Sequence, residues 1–238
     1  MTERSSDILR LLSYNIHGCF GRWGVEDPDR VLDVLRTVDA DVVALQEVHD
    51  DDIADRSFLR GLETLGYASI IYGRTMRMHK GPFGNILMTR QKPHITQRAD
   101  ISIDGVEPRG AIIAILDTEH GQVRVMASHF GMTSGERHSQ LNQILAIHDT
   151  PLEAASLRAQ ILMGDLNEWF PWSRNLKLLR SMFPACSEIR TFPAILPVFA
   201  LDKIGISGRI AGARFWSPDF ETARTASDHR PIAAEVRF

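Results

Sequence analysis

Only two cysteines, Cys19 and Cys186, occur in 238 residues. They lie far apart and neither belongs to a CxxC or Cys/His cluster, so thiolate zinc chemistry is not expected; two free thiols in a reducing compartment are. No apolar run is long enough to cross a bilayer. The stretch MTERSSDILR at the start is charged where a secretory signal needs an apolar segment, so a cytoplasmic protein is expected. Nor is there an excess of basic charge: 27 Lys and Arg stand against 30 Asp and Glu, a net charge of −3. No global field recruits nucleic acid, although a local basic groove would still serve. Internal repeats, low-complexity tracts, Gly/Ser linkers and long charge runs are missing too. With 44% hydrophobic and 24% charged residues, the chain has an ordinary globular composition and ample length to bury a core. It reads as a single domain over residues 1–238.

What is present is an alternation of short apolar runs and helical periodicities. Strands are predicted at 8–14, 41–47, 67–73, 84–90, 110–118, 122–130, 160–165, 200–207 and 232–238. A helix is predicted from Pro28, because Val31, Val34, Leu35 and Val38 recur at helical spacing and proline suits a first turn. Another carries Leu141, Ile144, Leu145 and His148, with Thr133 or Ser134 as its cap and Glu136 close behind. Around nine strands with three or four helices suggest two packed sheets with helices outside.

The ends of these strands are polar in a way turns do not explain. Asn15 follows ILRLLSY, Glu47 follows DVVALQ, His129 follows VRVMAS, and Asp165 and Asn167 sit in MGDLNEW. Asp202 opens DKIGIS, and Asp228-His229 precede the last strand. Gly, Asp and Asn are ordinary turn residues, but Glu and His are not. Gathered at one edge, these ends would form a pocket of carboxylates, amides and two imidazoles. Hard oxygen donors without thiolates suit Mg²⁺ or Mn²⁺, and histidines beside carboxylates suit proton transfer near neutral pH. The chemistry expected is metal-assisted hydrolysis of a phosphate ester.

In order along the chain, LSYNIHG, ALQEV, ASHFG, MGDLNEW, LDKIGIS and TASDHRPIAAEV resemble the motifs of the endonuclease/exonuclease/phosphatase (DNase I-like) superfamily, over about residues 11 to 238. The resemblance implies a four-layered α/β sandwich, two mixed β-sheets packed face to face with helices outside. It also implies roles. Glu47 would be the main ligand of Mg²⁺ or Mn²⁺, with Asn15 and Asp228 supporting the metal site. Asp165 would orient or deprotonate the attacking water, and Asn167 would hold that water or a phosphate oxygen. His229, held by Asp202, would contact the phosphoryl group, and His129 would serve the leaving-group side. Arg109, in VEPRGAIIAI, matches an arginine that some members place near the phosphate. Whether Asp165 or His229 is the base stays open. The family's usual His-Leu reads His129-Phe130, and no motif supplies an acid to partner His129.

The substrate expected is a phosphate ester, most simply a diester, bound by a monomer. Apolar residues in EWFPWS (168–173) and TFPAILPVFALDK (191–203) would suit a lipid-like or small organic substrate if exposed beside the site, and are core if buried. Arg74, Arg77, His79 and Lys80 form one compact basic loop, which leaves nucleic acid open as a substrate and a DNA or RNA nuclease as the alternative. A non-catalytic interaction module is the third reading. It would be expected to have lost part of the set Glu47, Asp165, Asn167, Asp228 and His229, and all are present. His17, His49, His79, His94, His120, His138 and His148 carry no motif and are assigned to surface or structure.

Overall fold

The computed structural model describes residues 7–49, 57–79, 81–150 and 157–238. Its strands are β1 (Ile8–Asn15), β2 (Val42–His49), β3 (Ser69–Met78), β4 (Gly81–Thr89), β5 (Ile95–Asp100), β6 (Gly110–Thr118), β7 (Gly121–His129), β8 (Leu157–Asp165), β9 (Ala185–Cys186), β10 (Asp202–Gly208), β11 (Gly212–Trp216) and β12 (Ile232–Arg237). Its α-helices are α1 (Pro28–Val38), α2 (Ser57–Glu63), α3 (Ser134–Asp149), α4 (Arg174–Met182) and α5 (Glu221–Thr225). Two six-stranded mixed sheets result, in the orders β11-β12-β1-β2-β4-β3 and β5-β6-β7-β8-β10-β9.

Alternation along each strand builds the four layers. Leu11, Val125 and Ile161 point between the sheets, where they meet Ala44, Ala114 and Ile204. Their neighbours Leu12, Met126 and Leu162 point outward, Leu12 onto Val31, Leu35 and Leu62 of the helices, the others onto Ile144, Leu176 and Leu179. A strand buried on both faces reads as a continuous apolar run, which is why these strands stood out in the sequence. The helices begin where their caps place them. Asp27 accepts from the backbone of Arg30, and Thr133 and Glu136 complete a reciprocal capping box.

Three strands escaped the sequence reading, as did the positions of α2, α4 and α5. β5 is largely exposed, β9 has two residues, and β11 lies at a sheet edge. The basic loop is also corrected: β3 runs on to Met78 and β4 starts at Gly81, so Arg74 and Arg77 lie on a strand of a hairpin. His79 is at its turn, and Lys80 lies outside the described residues. Among the described residues neither Cys19, which is buried, nor Cys186, which is half-buried, forms a disulfide. Among the described residues no helix is long and apolar enough to cross a membrane.

Strand direction decides where the polar ends go. β1 runs parallel to β2, and β7 parallel to β8, so four carboxy-terminal ends share one edge. β6, β10 and β12 run antiparallel to their neighbours and bring their amino-terminal ends to the same edge. Asp165 stands in register with His129 on one side and Asp202 on the other. Gly164 permits this. A Cβ there would lie 1.8 Å from the Ser128 carbonyl oxygen, at a φ of +152°. Gly164→Ala should therefore force β7 and β8 apart and destabilise the fold by about 3 kcal/mol. Chemical denaturation checks this, and unchanged stability would show that the strands tolerate a side chain at this approach.

Candidate active site

Four of the polar ends continue the stripes that fill the space between the sheets. Asn15 shares the parity of Leu11, His129 that of Val125, Asp165 that of Ile161, and Asp202 that of Ile204. Glu47 does not. By alternation it would join Val43 and Leu45 on the helix side, but a β-bulge interrupts the register between Leu45 and Val48, and Glu47 takes a left-handed φ of +58°. A bulge re-aims a side chain in this way; here it delivers the carboxylate to Asn15, whose amide nitrogen donates to Glu47 Oε1 at 2.8 Å and to Asp165 Oδ2 at 3.0 Å.

Asp165 divides its two oxygens between folding and site. Oδ1 accepts the Asn167 backbone N–H at 2.9 Å, fixing the turn in which Asn167 adopts a φ of +51°. Oδ2 faces the Asn15 amide, with His129 Nε2 at 3.6 Å and His229 Nε2 at 3.7 Å. GDLN is thus a turn and a cluster of site residues at once. Glu168, next in line, is structural: it is buried, and its Oε1 accepts from Arg137 and Asn175 at 2.9 and 2.8 Å, tying the loop to α3 and α4.

The two imidazoles are held in opposite states. His229 Nδ1 lies 2.8 Å from Asp202 Oδ2, which also accepts from Thr191 Oγ1 at 2.5 Å. Burial opposes charge on His229, but Asp202, aided by Asp165 and Asp228, carries its pKa up to about 10. His129 has no carboxylate on Nδ1. Instead Arg109 Nη1 lies 2.9 Å away, and Arg109 Nη2 in turn pairs with Glu107 at 3.2 Å. Arginine can only donate, so Nδ1 must accept and Nε2 carries the hydrogen. Burial, against the pull of Asp165 and with the nearby Arg109 and His229 charges, takes the His129 pKa down to about 3. Asn167 Nδ2 donates to the Phe130 carbonyl at 2.9 Å and lies 3.3 Å from His129 Nε2. Two donors therefore stand side by side with no acceptor between them.

All nine sequence-predicted residues meet here. Glu47, Arg109, His129, Asp165, Asn167, Asp228 and His229 line one cleft of about 370 Å³. Asn15 and Asp202 stand behind it, bonded to Asp165 and His229. Ser227 Oγ donates to the Asn15 carbonyl at 2.8 Å and so anchors the Asp228-His229 turn on β1. His17 is exposed, as a surface histidine should be, yet it lies 3.6 Å from Asp228 at the rim of the site. Sequence reasoning missed Glu107 and Thr191. Glu107 had a signal, an acid two residues before Arg109; Thr191 had none.

The donor chemistry fits a divalent cation. Asp165, Asp202 and His229 bring potential ligand atoms within 4.8 Å of one another. The His229–Asp202 contact is already a hydrogen bond, however, so the oxygens better placed for a cation are those of Glu47 and Asp165. Burial raises the Glu47 pKa; the Asn15 hydrogen bond opposes this and the Asp165 charge adds to it. Two carboxylates joined by one amide are what a hard cation would relieve, with oxygen donors and no thiolate in the set.

The neutral His129 has a consequence for stability. Below about pH 6.5 the unfolded chain protonates this histidine, while the folded chain refuses the proton until about 3. The unfolded state then binds more protons, so stability falls as pH falls through this window. His129→Asn removes the effect. Between pH 6 and pH 4 the wild type should lose stability faster than the variant, by up to about 1.4 kcal/mol per pH unit. Urea midpoints of the two proteins across that range measure the difference, and parallel curves would contradict it.

Residues 12–231 match the Endonuclease/Exonuclease/phosphatase family. The uncharacterized protein YbhP of Escherichia coli K12 is 30% identical over 250 residues, which span 97% of this chain and 96% of that one. Exodeoxyribonuclease III of Haemophilus influenzae is 28% identical over 131 residues, 55% of this chain and 44% of that enzyme. The human Nocturnin catalytic domain has the same fold, with a TM-score of 0.74 at 19% identity, covering 97% of this chain and 93% of that one. The chain belongs to the endonuclease/exonuclease/phosphatase family, whose members are divalent-metal-dependent phosphoester hydrolases.

Proposed function

We propose that the protein is a Mg²⁺- or Mn²⁺-dependent phosphodiesterase that hydrolyses its ester by in-line attack of water. The observation that carries this reading is the polarity of the cleft. One side holds the paired carboxylates Glu47 and Asp165; the other holds Arg109, the charged His229 and the adjacent N–H groups of His129 and Asn167. A phosphoryl group needs both, a basic oxygen beside the water and donors around the oxygens that gain charge.

Asp165 Oδ2 takes the water's proton as the new P–O bond forms. His229 is already charged at neutral pH, which favours Asp165 over His229 as the base. Fixed by Asp202, its Nε2–H donates to a phosphoryl oxygen. Asn167 donates to a second oxygen, and the neutral His129 presents Nε2–H to the departing ester oxygen, with Arg109 holding the ring. The old P–O bond breaks, and the ester oxygen departs as an anion hydrogen-bonded by His129; this anion becomes the alcohol with the proton that Asp165 returns through water. A cation held by Glu47, with Asn15 and Asp228 in support, would add charge neutralisation at the phosphoryl oxygens. Arg74 and Arg77 on one hairpin do not make a continuous basic track of the kind a nucleic-acid backbone uses, so a small or lipid-like diester is preferred.

Bis-p-nitrophenyl phosphate should be hydrolysed with Mg²⁺ or Mn²⁺, lose its turnover in EDTA and regain it with excess metal. Activity that persists in EDTA would exclude this mechanism. Asp202→Ala and His229→Ala should each lower kcat by about 10²-fold or more. The double variant should be scarcely worse, because groups acting as a unit are not additive; multiplicative losses in steady-state kinetics would separate the two residues.

A further inference from the structure

Large apolar side chains are exposed around the mouth of the cleft. Trp172 is 79% exposed and Leu196 72%. Phe170 lies beside Trp172, and Ile195 and Val198 flank Leu196. They occupy the tips of two loops, between β8 and α4 and between β9 and β10. Met132, on a third loop, is exposed while lining the cleft itself.

These tips are presented on a built platform. Trp169 lines the cleft and packs edge-on against Phe192 at 5.8 Å and Phe199 at 5.1 Å, which clamps the two loops together. With those rings turned inward, Phe170 and Trp172 stack on each other at 5.3 Å, facing water. The sequence left open whether these stretches were core or surface, and the structure divides them: Trp169, Phe192 and Phe199 hold the loops, and the tips project. An exposed apolar cluster of this kind marks an interaction site.

Cationic groups accompany the tips. Arg174 follows Trp172 by two residues and is exposed. Arg230 braces the carbonyls of Ala194 and Ile195 from behind, at 2.5 and 3.5 Å. Arg74 and Arg77 flank Met76 on the cleft-lining hairpin. Among the described residues, Asp219 pairs with Arg224 and Arg230, Glu188 with Arg180, and Glu107 with Arg109. Apolar tips backed by arginines are the combination that binds an anionic lipid surface, with aromatic and aliphatic groups entering the interface and cations meeting headgroups.

We infer that the mouth of the cleft docks on an anionic lipid bilayer, so that the phosphodiester it takes is presented by that surface. The substrate half of this inference rests on the phosphodiesterase reading; the docking half does not. Position favours a bilayer over a protein partner. The tips adjoin the cleft mouth, so whatever covers them covers the mouth. A protein there would obstruct the site, whereas a lipid surface would bring phosphodiesters to it.

The test is co-sedimentation of the full chain, in EDTA to remove metal bridging and turnover, with vesicles of phosphatidylcholine alone or of equal parts phosphatidylcholine and phosphatidylglycerol. Wild type should bind the mixed vesicles, more weakly at high salt and less to phosphatidylcholine alone. The double variant Trp172→Ser/Leu196→Ser should bind at least about tenfold more weakly, with unchanged circular dichroism and unchanged turnover of soluble bis-p-nitrophenyl phosphate. No binding by wild type, or equal binding by the variant, would overturn the docking. Vesicle binding of the expected pattern without soluble turnover in either protein would keep the docking and reject the phosphodiesterase reading.

Discussion

A carboxylate sealed between two sheets governs this site. Asp165 is 1% exposed, and an unpaired charge at such a place costs several kcal/mol. The same alternation that packs Ile161 and Met163 into the central layer puts Asp165 at its polar end. Its neighbours answer that charge. The Asn167 backbone binds one oxygen, the Asn15 amide binds the other, and both imidazoles stand within 4 Å, at 3.6 and 3.7 Å. The cleft exists because its floor cannot be filled with hydrocarbon.

The two imidazoles show how one carboxylate-rich edge can support different proton chemistry. Asp202 stabilises charge on His229, while Arg109 uses the Nδ1 lone pair of His129 and repels a second proton. Groups whose surroundings drive their pKa values apart are those to which separate acid, base or donor roles can be given. The absence of an acid in the motifs around His129 has a physical counterpart: the acid, Glu107, stands one step back and acts on the imidazole through Arg109.

Much of this was legible in the sequence, for one reason. Strands buried on both faces read as continuous apolar runs, so Asn15, His129, Asp165 and Asp202 stood out as abrupt polar ends. The six motifs in order then pointed to the sandwich. Glu47 is the instructive exception. Its motif named it, but alternation alone would have sent it to the helices, and no glycine or proline marks the bulge that turns it inward. Thr191 and the strands β5, β9 and β11 left no clear periodic trace: β5 is largely exposed, β9 has two residues, and β11 turns only Ala213 and Phe215 toward the central layer. The mixed character of EWFPWS was equally invisible, since only packing distinguishes Trp169, turned in, from Trp172, turned out.

The most direct test of a hydrolytic site at this edge follows the oxygen that Asp165 is held to activate. Bis-p-nitrophenyl phosphate is hydrolysed in water enriched in heavy oxygen, and both products are weighed by mass spectrometry. The label should enter p-nitrophenyl phosphate and not p-nitrophenol, and a folded Asp165→Asn protein should make neither product at an appreciable rate. Label in p-nitrophenol, or full turnover by Asp165→Asn, would contradict water attack at phosphorus directed by this residue.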